Sequence, residues 1–245
     1  MGASLTEADH TRFQHTTPFG NISLTLRMAK KEVGIKDIKE VSSENLPIYF
    51  AESAWHRNWK MAFPATFREK TFFSEAQNCQ HRADIYTPCG TTIEFQHSPI
   101  SLIELRSRED FYPNLIWVVD GSKFKGFKIL KHLPDVDDPK LDGYEFSQTQ
   151  NLSLYKKTDL INAKRKLLTL SHPELHGVKL SSHYFSFVWK HPHRVWYEAK
   201  FPMIFDFGGY FVYQLKQRQQ LSGAYAYLHM IPRKDFIGRF TLSQS

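Results

Sequence analysis

The sequence predicts an α/β fold of the α+β kind: a mixed β-sheet flanked by helices, with a C-terminal β-rich extension. Three features predict it. A helical apolar stripe runs up to Pro64, a two-stranded hairpin follows across Arg82–His97, and a helix after Pro99 leads into the apolar run Leu115–Val119. The order helix, strand, strand, helix, strand joins a hairpin to a helical crossover, which puts strands of both senses into one sheet.

Each element has its own warrant. Residues 1–20 are polar, contain Pro18 and Gly20, and read as poorly ordered. Residues 22–40 hold an alternating run, ISLTLRM, and a basic stretch, AKKEVGIKDIKE, whose structure the pattern does not decide; Pro47 closes a loop. From Ile48 to about Arg68, Ala51, Trp55, Trp59 and Phe63 recur every fourth residue as an apolar stripe. Glu52, His56 and Lys60 recur at the same spacing on the adjacent face, so they stack along one side of a helix. Pro64 ends or kinks it.

The segments Arg82–Tyr86 and Thr91–His97 alternate in polarity around Thr87-Pro88-Cys89-Gly90, which has turn chemistry. A period of two puts Arg82 and Asp84 on one face, and separates Glu94 and Gln96 from Ile93 and Phe95. Ser101 and Glu104 form a capping box for a helix that Pro113 stops. Leu115–Val119 has the length and composition of a buried strand. Further on, residues 134–139 read as a loop and Asp159–Leu170 as a helix with the basic face Lys164-Arg165-Lys166. The aromatic-rich segments 183–190, 194–199 and 203–216 read as strands. The division expected is an N-terminal segment 1–45, a core 46–132, and an extension 133–245 packed on that core.

Composition narrows the function. The 245 residues are 41% hydrophobic and 15% aromatic, with 20 phenylalanines, enough for a sizeable core and against disorder. No stretch approaches the ~18 apolar residues that span a bilayer, and no apolar run follows a basic start, so neither a membrane nor a secretory role is expected. Cys79 and Cys89 provide neither a disulfide framework nor a zinc ligand set, which points to a reducing, cytoplasmic setting. The formal net charge of +7 favours polyanionic partners, of which nucleic acid is the commonest.

Against that basic background three acids stand out: Glu52 on the first helix and Asp84 and Glu94 on the two hairpin strands. Pairing across the turn brings Asp84 toward Glu94. Hard cations take one or two carboxylates plus waters and substrate phosphates, and such ions activate water and stabilise charge building on a phosphate.

The residues around these acids carry a resemblance. Glu52-Ser53-x-x-His56-x-x-x-Lys60, Arg82-Ala83-Asp84-Ile85, and Ile93-Glu94-Phe95-Gln96-x-Ser98-x-Ile100-Ser101, followed by Arg108, Tyr112 and Trp117, resemble the competence protein CoiA-like nucleases of the PD-(D/E)xK superfamily over roughly residues 50–120. That resemblance implies a restriction-endonuclease-like core and a Mg²⁺- or Mn²⁺-dependent endonuclease that hydrolyses phosphodiester bonds of DNA. Asp84 and Glu94 would bind the metal directly, and Glu52 would bind through water or complete the site. Gln96 stands where most of the superfamily has lysine; its amide can orient water but supplies no charge. Lys60, His56 or Arg82 can supply that charge, with Lys60 favoured. His56 reads equally as a phosphate contact or as a satisfied, partly buried histidine. The small cysteine-containing zinc module that the family often carries at its N-terminus is lacking.

Other signals are weaker. His191-Pro192-His193-Arg194 reads as a basic loop rather than a metal site. Asp206-Phe207-Gly208 lacks the companions of a kinase motif. Lys123, Lys125, Lys128 and Lys131 read first as a solvated edge and second as phosphate contacts; with Arg82 and Arg194, Lys123 and Lys125 are the candidates for nucleic-acid contact. Trp189, Trp196 and Tyr197 can stack on bases, although core packing is the plainer role for at least two. The roles expected are defence against foreign DNA or its processing. The alternative is an inactive DNA-binding module of the same fold, acting in DNA uptake or recombination. Either admits a defence or recombination partner protein and a homo-oligomer.

Overall fold

The computed structural model describes residues 16–17, 20–21, 38–40, 52–75, 78–147, 149, 152–162 and 166–241. In chain order the strands and helices are β1 (Thr16–Thr17), β2 (Gly20–Asn21), β3 (Ile38–Glu40), α1 (Ala54–Met61), β4 (Arg68–Ser74), β5 (Cys79–Tyr86), β6 (Thr92–Gln96), α2 (Leu102–Phe111), β7 (Leu115–Asp120) and β8 (Phe127–Pro134). There follow β9 (Tyr144–Phe146), β10 (Leu154–Lys156), α3 (Lys157–Ile161), β11 (Leu180–Trp189), β12 (Met203–Asp206), β13 (Phe211–Arg218), β14 (Tyr225–Pro232) and α4 (Arg233–Thr241).

Among the described residues one ten-stranded sheet runs in the order β3-β4-β5-β6-β7-β12-β13-β14-β11-β8. The predicted hairpin is present as β5–β6, and α2 carries the chain from β6 to a parallel β7. β12 then adds on the far side of β7, also parallel, and the remaining pairs are antiparallel. This is the predicted mixed sheet flanked by helices.

The three parallel neighbours are buried on both faces, as parallel strands covered by helices must be. Trp117 and Val119 point into a cluster with Leu105, Tyr112 and Phe205 on the α2 side. Val118, between them, points into the cluster with Trp59, Phe63, Phe95 and Phe236 on the α1 and α4 side. A third cluster, with Leu133, Phe146, Leu154 and Tyr225, lies around β9 and β10.

Several boundaries differ from the sequence reading. The helix expected over Ile48–Arg68 is only Ala54–Met61, because Pro64 and a 3₁₀ turn at Ala65–Phe67 convert the chain to extended structure. Arg68–Ser74 is then a strand, unforeseen because its pattern is short and begins with charged residues. Ile48–Ala51, and the readings for 1–15 and 22–37, lie outside the described residues. The helix expected at Asp159–Leu170 is Lys157–Ile161, and Leu168 forms a bridge with Leu154 instead; Lys164 and Arg165 lie outside the described residues. Residues 194–198 are a 3₁₀ turn rather than a strand, and the strand expected at 203–216 is two strands joined through Gly208 and Gly209, both at positive φ.

One buried carboxylate fixes α1 to the sheet. Asp206 ends β12 and is 1% exposed. Its Oδ2 accepts from Trp55 Nε1 and Trp59 Nε1, each at 2.8 Å, and from Arg233 Nη2 at 3.3 Å; Oδ1 accepts from the Gly208 amide at 2.9 Å. Arg233 also lies 3.9 Å over the Trp59 ring, tying α4 to the same point. At the other end of α1, Arg68 donates to the carbonyls of Met61 and Phe63, satisfying groups that the helix end leaves open. Asp206→Ala strands two indole donors and a guanidinium in a buried setting. It is expected to lower the stability to urea unfolding by about 2–4 kcal/mol, with a red shift of tryptophan fluorescence under native conditions.

Candidate active site

The site is assembled where α1 crosses the open end of the β5–β6 hairpin. Ser53 caps α1 by accepting from the His56 amide at 3.2 Å, and Glu52 immediately precedes that cap. The four-residue spacing of Glu52, His56 and Lys60 lines them toward β5, as the periodicity predicted.

The hairpin is paired only at Ile85–Ile93 and Tyr86–Thr92. Beyond these the strands part, and the Asp84 side chain takes over: its Oδ2 accepts from the Phe95 amide at 2.9 Å. Extending the register one step sets Asp84 opposite Glu94. The turn differs slightly from the expected one, with five residues, 87–91, closed by Thr87 N to Thr91 O and with Gly90 at φ 78°.

An imidazole and an ammonium group sit between the carboxylates. His56 lies 2.9 Å through Nε2 from Asp84 and 3.5 Å through Nδ1 from Glu52. Lys60, almost completely buried, pairs with Glu52, with Glu69 at 2.6 Å, and with Asp84 at 3.8 Å. Burial works against the Lys60 charge, but bonds to Glu52 and Glu69 and the nearby Asp84 outweigh it and hold its pKa above the usual lysine value. The same contacts overcome burial at Glu69 and hold its carboxyl low. Arg82 lies 3.5 Å from Glu69.

Glu94 faces the other way, into the α2 side, and is 2% exposed. Arg108 of α2 donates to its Oε2 and, at 3.0 Å, to Glu104. Burial pushes the Glu94 carboxyl up, Arg108 pulls it back and Asp84 adds to the rise, leaving it at about 8. For Arg108, burial is outweighed by Glu94, Glu104 and Asp84, which hold it above its ordinary value. The capping box is half made: Ser101 accepts from the Glu104 amide at 3.1 Å, while the Glu104 carboxylate serves Arg108. Gln96, two residues beyond Glu94, donates to the Ser98 carbonyl at 2.7 Å.

The structure therefore gathers Glu52, His56, Lys60 and Asp84 into one ionic cluster, with Glu94 beside Asp84 and Gln96 at the margin. Lys123, Lys125 and Arg194 lie outside it and are exposed; Arg82 flanks it through Glu69. Sequence reasoning missed Glu69, which sits at φ 54° in β4, and passed over Asp206 and the His97–Asp120 pair (Nδ1–Oδ2 2.8 Å). A polar side chain in an otherwise apolar terminal segment was the available signal for Asp206. Glu69 had none. Trp196 and Trp189 pack against Trp117 and Phe124 respectively, the plainer of the two roles expected for them.

The donor set suits a hard divalent cation in one respect. Glu94 Oε1 is buried without a hydrogen-bond partner, and the Asp84 carboxylate is near enough to raise the Glu94 pKa. Two carboxylates with waters and a substrate phosphate satisfy such an ion. Among the described residues no group of three or more His, Cys, Asp or Glu side chains is arranged to hold a metal by itself.

The mixed sheet flanked by helices has the architecture of a restriction-endonuclease-like fold. Residues 52–172, just under half of the chain, match the family model described as competence protein CoiA, nuclease-like domain. The match extends some fifty residues past the segment that carries the sequence resemblance, through β10 and α3. No curated protein and no solved structure matches the chain. No helix among the described residues is long and apolar enough to cross a membrane.

The Glu94 environment makes a stability prediction. Its folded-state value lies above the ordinary 4.5, so the stabilisation is complete below that value and is lost as pH rises through about 8. In EDTA, the urea midpoint is expected to fall between about pH 6 and about pH 9, and the fall is expected to shrink in Glu94→Gln.

Proposed function

We propose that the chain is a metal-dependent endonuclease that hydrolyses phosphodiester bonds of DNA. The observation that carries this reading is the meeting of Asp84 and Glu94 at a hairpin that opens there, with the Glu52–His56–Lys60 face of α1 laid across it. Clustered carboxylates repel DNA, so a basic chain that concentrates them at one point gains nothing as a simple binder; a cation held there reverses the local sign.

Asp84 and Glu94 would hold Mg²⁺ or Mn²⁺, with Glu52 acting through water. When bound, the ion lowers the pKa of water and neutralises charge on the phosphate. The chain's own groups do the rest. Asp84 is pre-oriented by the Phe95 amide, which fixes Oδ2 while Oδ1 faces Lys60. Lys60 supplies the positive charge that Gln96 lacks, and its carboxylate partners, outweighing its burial, keep it protonated at neutral pH. His56, between Asp84 and Glu52, is placed to contact a phosphate or to orient the attacking water. Arg108 holds Glu94 against α2. Gln96 orients water through its amide, after exchanging its bond to the Ser98 carbonyl.

The expected setting is the processing of foreign DNA, in competence or in defence. A second reading, an inactive DNA-binding module of the same fold, draws on a specific observation: Glu52 and Glu94 are each already paired, with Lys60 and Arg108.

Cleavage of supercoiled DNA with Mg²⁺ or Mn²⁺ separates the two. Activity is expected to vanish in EDTA and to fall at least about a hundredfold in Asp84→Ala and in Glu94→Ala. Lys60→Ala is expected to cost about tenfold to a hundredfold in kcat, with Lys60→Arg restoring part of it. Undiminished cutting by both carboxylate variants refutes the mechanism; intact metal-independent DNA binding without any cutting selects the second reading.

A further inference from the structure

Beside the candidate site a cleft of about 500 Å³ opens at the carboxyl ends of β6 and β7, the position where open parallel sheets receive ligands. Gln96 lies in its wall, so the cleft and the carboxylates share strand β6. Its floor is apolar and aromatic: Pro99, Phe124 and Trp196 line it. Phe124 is held by stacking on Trp189 at 4.2 Å, and Trp196 by an edge contact with Trp117 at 5.6 Å, so both rings are fixed before anything enters. The rim is basic, with Lys123, Lys125, His191 and His193. The acid in the wall, Asp120, is already engaged: its Oδ2 lies 2.8 Å from His97 Nδ1, and its Oδ1 accepts from the Ser122 amide at 2.9 Å.

We infer that this cleft holds one unpaired nucleotide of the DNA strand next to the scissile phosphate, the base on the aromatic floor and its phosphate against Lys123 and Lys125. The choice of nucleic acid as occupant rests on the nuclease reading above. The volume falls within the range that encloses a ligand of nucleotide size and is far too small for a stacked base pair with its backbones. An apolar floor with a cationic rim complements a base attached to a phosphate. A base in a duplex reaches such a cleft only after leaving its stack, which costs energy that a single strand does not spend. The protein therefore prefers single-stranded DNA, or frayed and mismatched positions, over an intact duplex.

The test is binding without chemistry. In EDTA, fluorescence anisotropy compares the full chain on a labelled single-stranded oligonucleotide and on a blunt hairpin of the same composition. Single-stranded DNA is expected to bind about tenfold or more tightly. Lys123→Ala/Lys125→Ala is expected to weaken single-strand binding by about tenfold, with a smaller loss on the hairpin. Ser98→Trp changes no charge and places an indole from an exposed lining position into the cleft. It is expected to abolish the preference for single strands while leaving hairpin binding unchanged, and circular dichroism confirms that it folds. Equal affinity for the two DNAs in the unaltered chain, or an undiminished preference in a folded Ser98→Trp, overturns the inference. Because no cleavage is read, a chain that binds as described but never cuts retires the nuclease reading alone, and one that cuts without the preference retires the cleft alone.

Discussion

The structure depends on Asp206. A carboxylate buried at the end of a central parallel strand is costly unless every lone pair is used. Here two indole N–H groups, a guanidinium and a backbone amide use them. Because both indoles belong to α1 and the guanidinium to the start of α4, this one side chain sets how a helix of only eight residues lies on the sheet. So short a helix has little stability of its own. Its orientation, and with it the position of Glu52, His56 and Lys60, is inherited from β12, some 150 residues away in sequence.

Charge is handled differently on the two sides of the opened hairpin. On the α1 side Lys60 and His56 lie among Glu52, Glu69 and Asp84, and the Lys60–Glu69 pair holds both of its groups in their charged forms. On the α2 side Glu94 is enclosed with a single guanidinium, and burial outweighs the pairing.

The cleft and the carboxylates have a common structural origin. Both lie at the end of β6, where the hairpin to β5 has come apart and the parallel ladder to β7 continues. Parallel strands end together and send their following loops to the same side. The residues after β6 and β7 also meet those after β11, which bring His191 and His193.

What the sequence determined by itself was local. The four-residue spacing of Glu52, His56 and Lys60, the turn at Thr87–Gly90, the Ser101 cap and the uninterrupted apolar run at Leu115–Val119 each follow from steric and hydrogen-bonding rules that act within a few residues. They suffice to outline the Glu52–His56–Lys60 face and the hairpin that carries Asp84 and Glu94, and to carry the family resemblance. What only the tertiary structure decided was anything whose partner is remote. Lys60 meets Glu69 because β4 begins directly after the turn at Pro64, which the helical pattern hid. Glu94 meets Arg108 because α2 crosses back over the sheet. Asp206 looked like part of an idle triplet until Trp55 and Trp59 were folded onto it. Residues 166–170 and 194–198, whose composition suggested a helix and a strand, took other forms. There, packing against β9–β10 and against Trp117 outweighed propensities of a few tenths of a kcal/mol per residue (about 0–0.7).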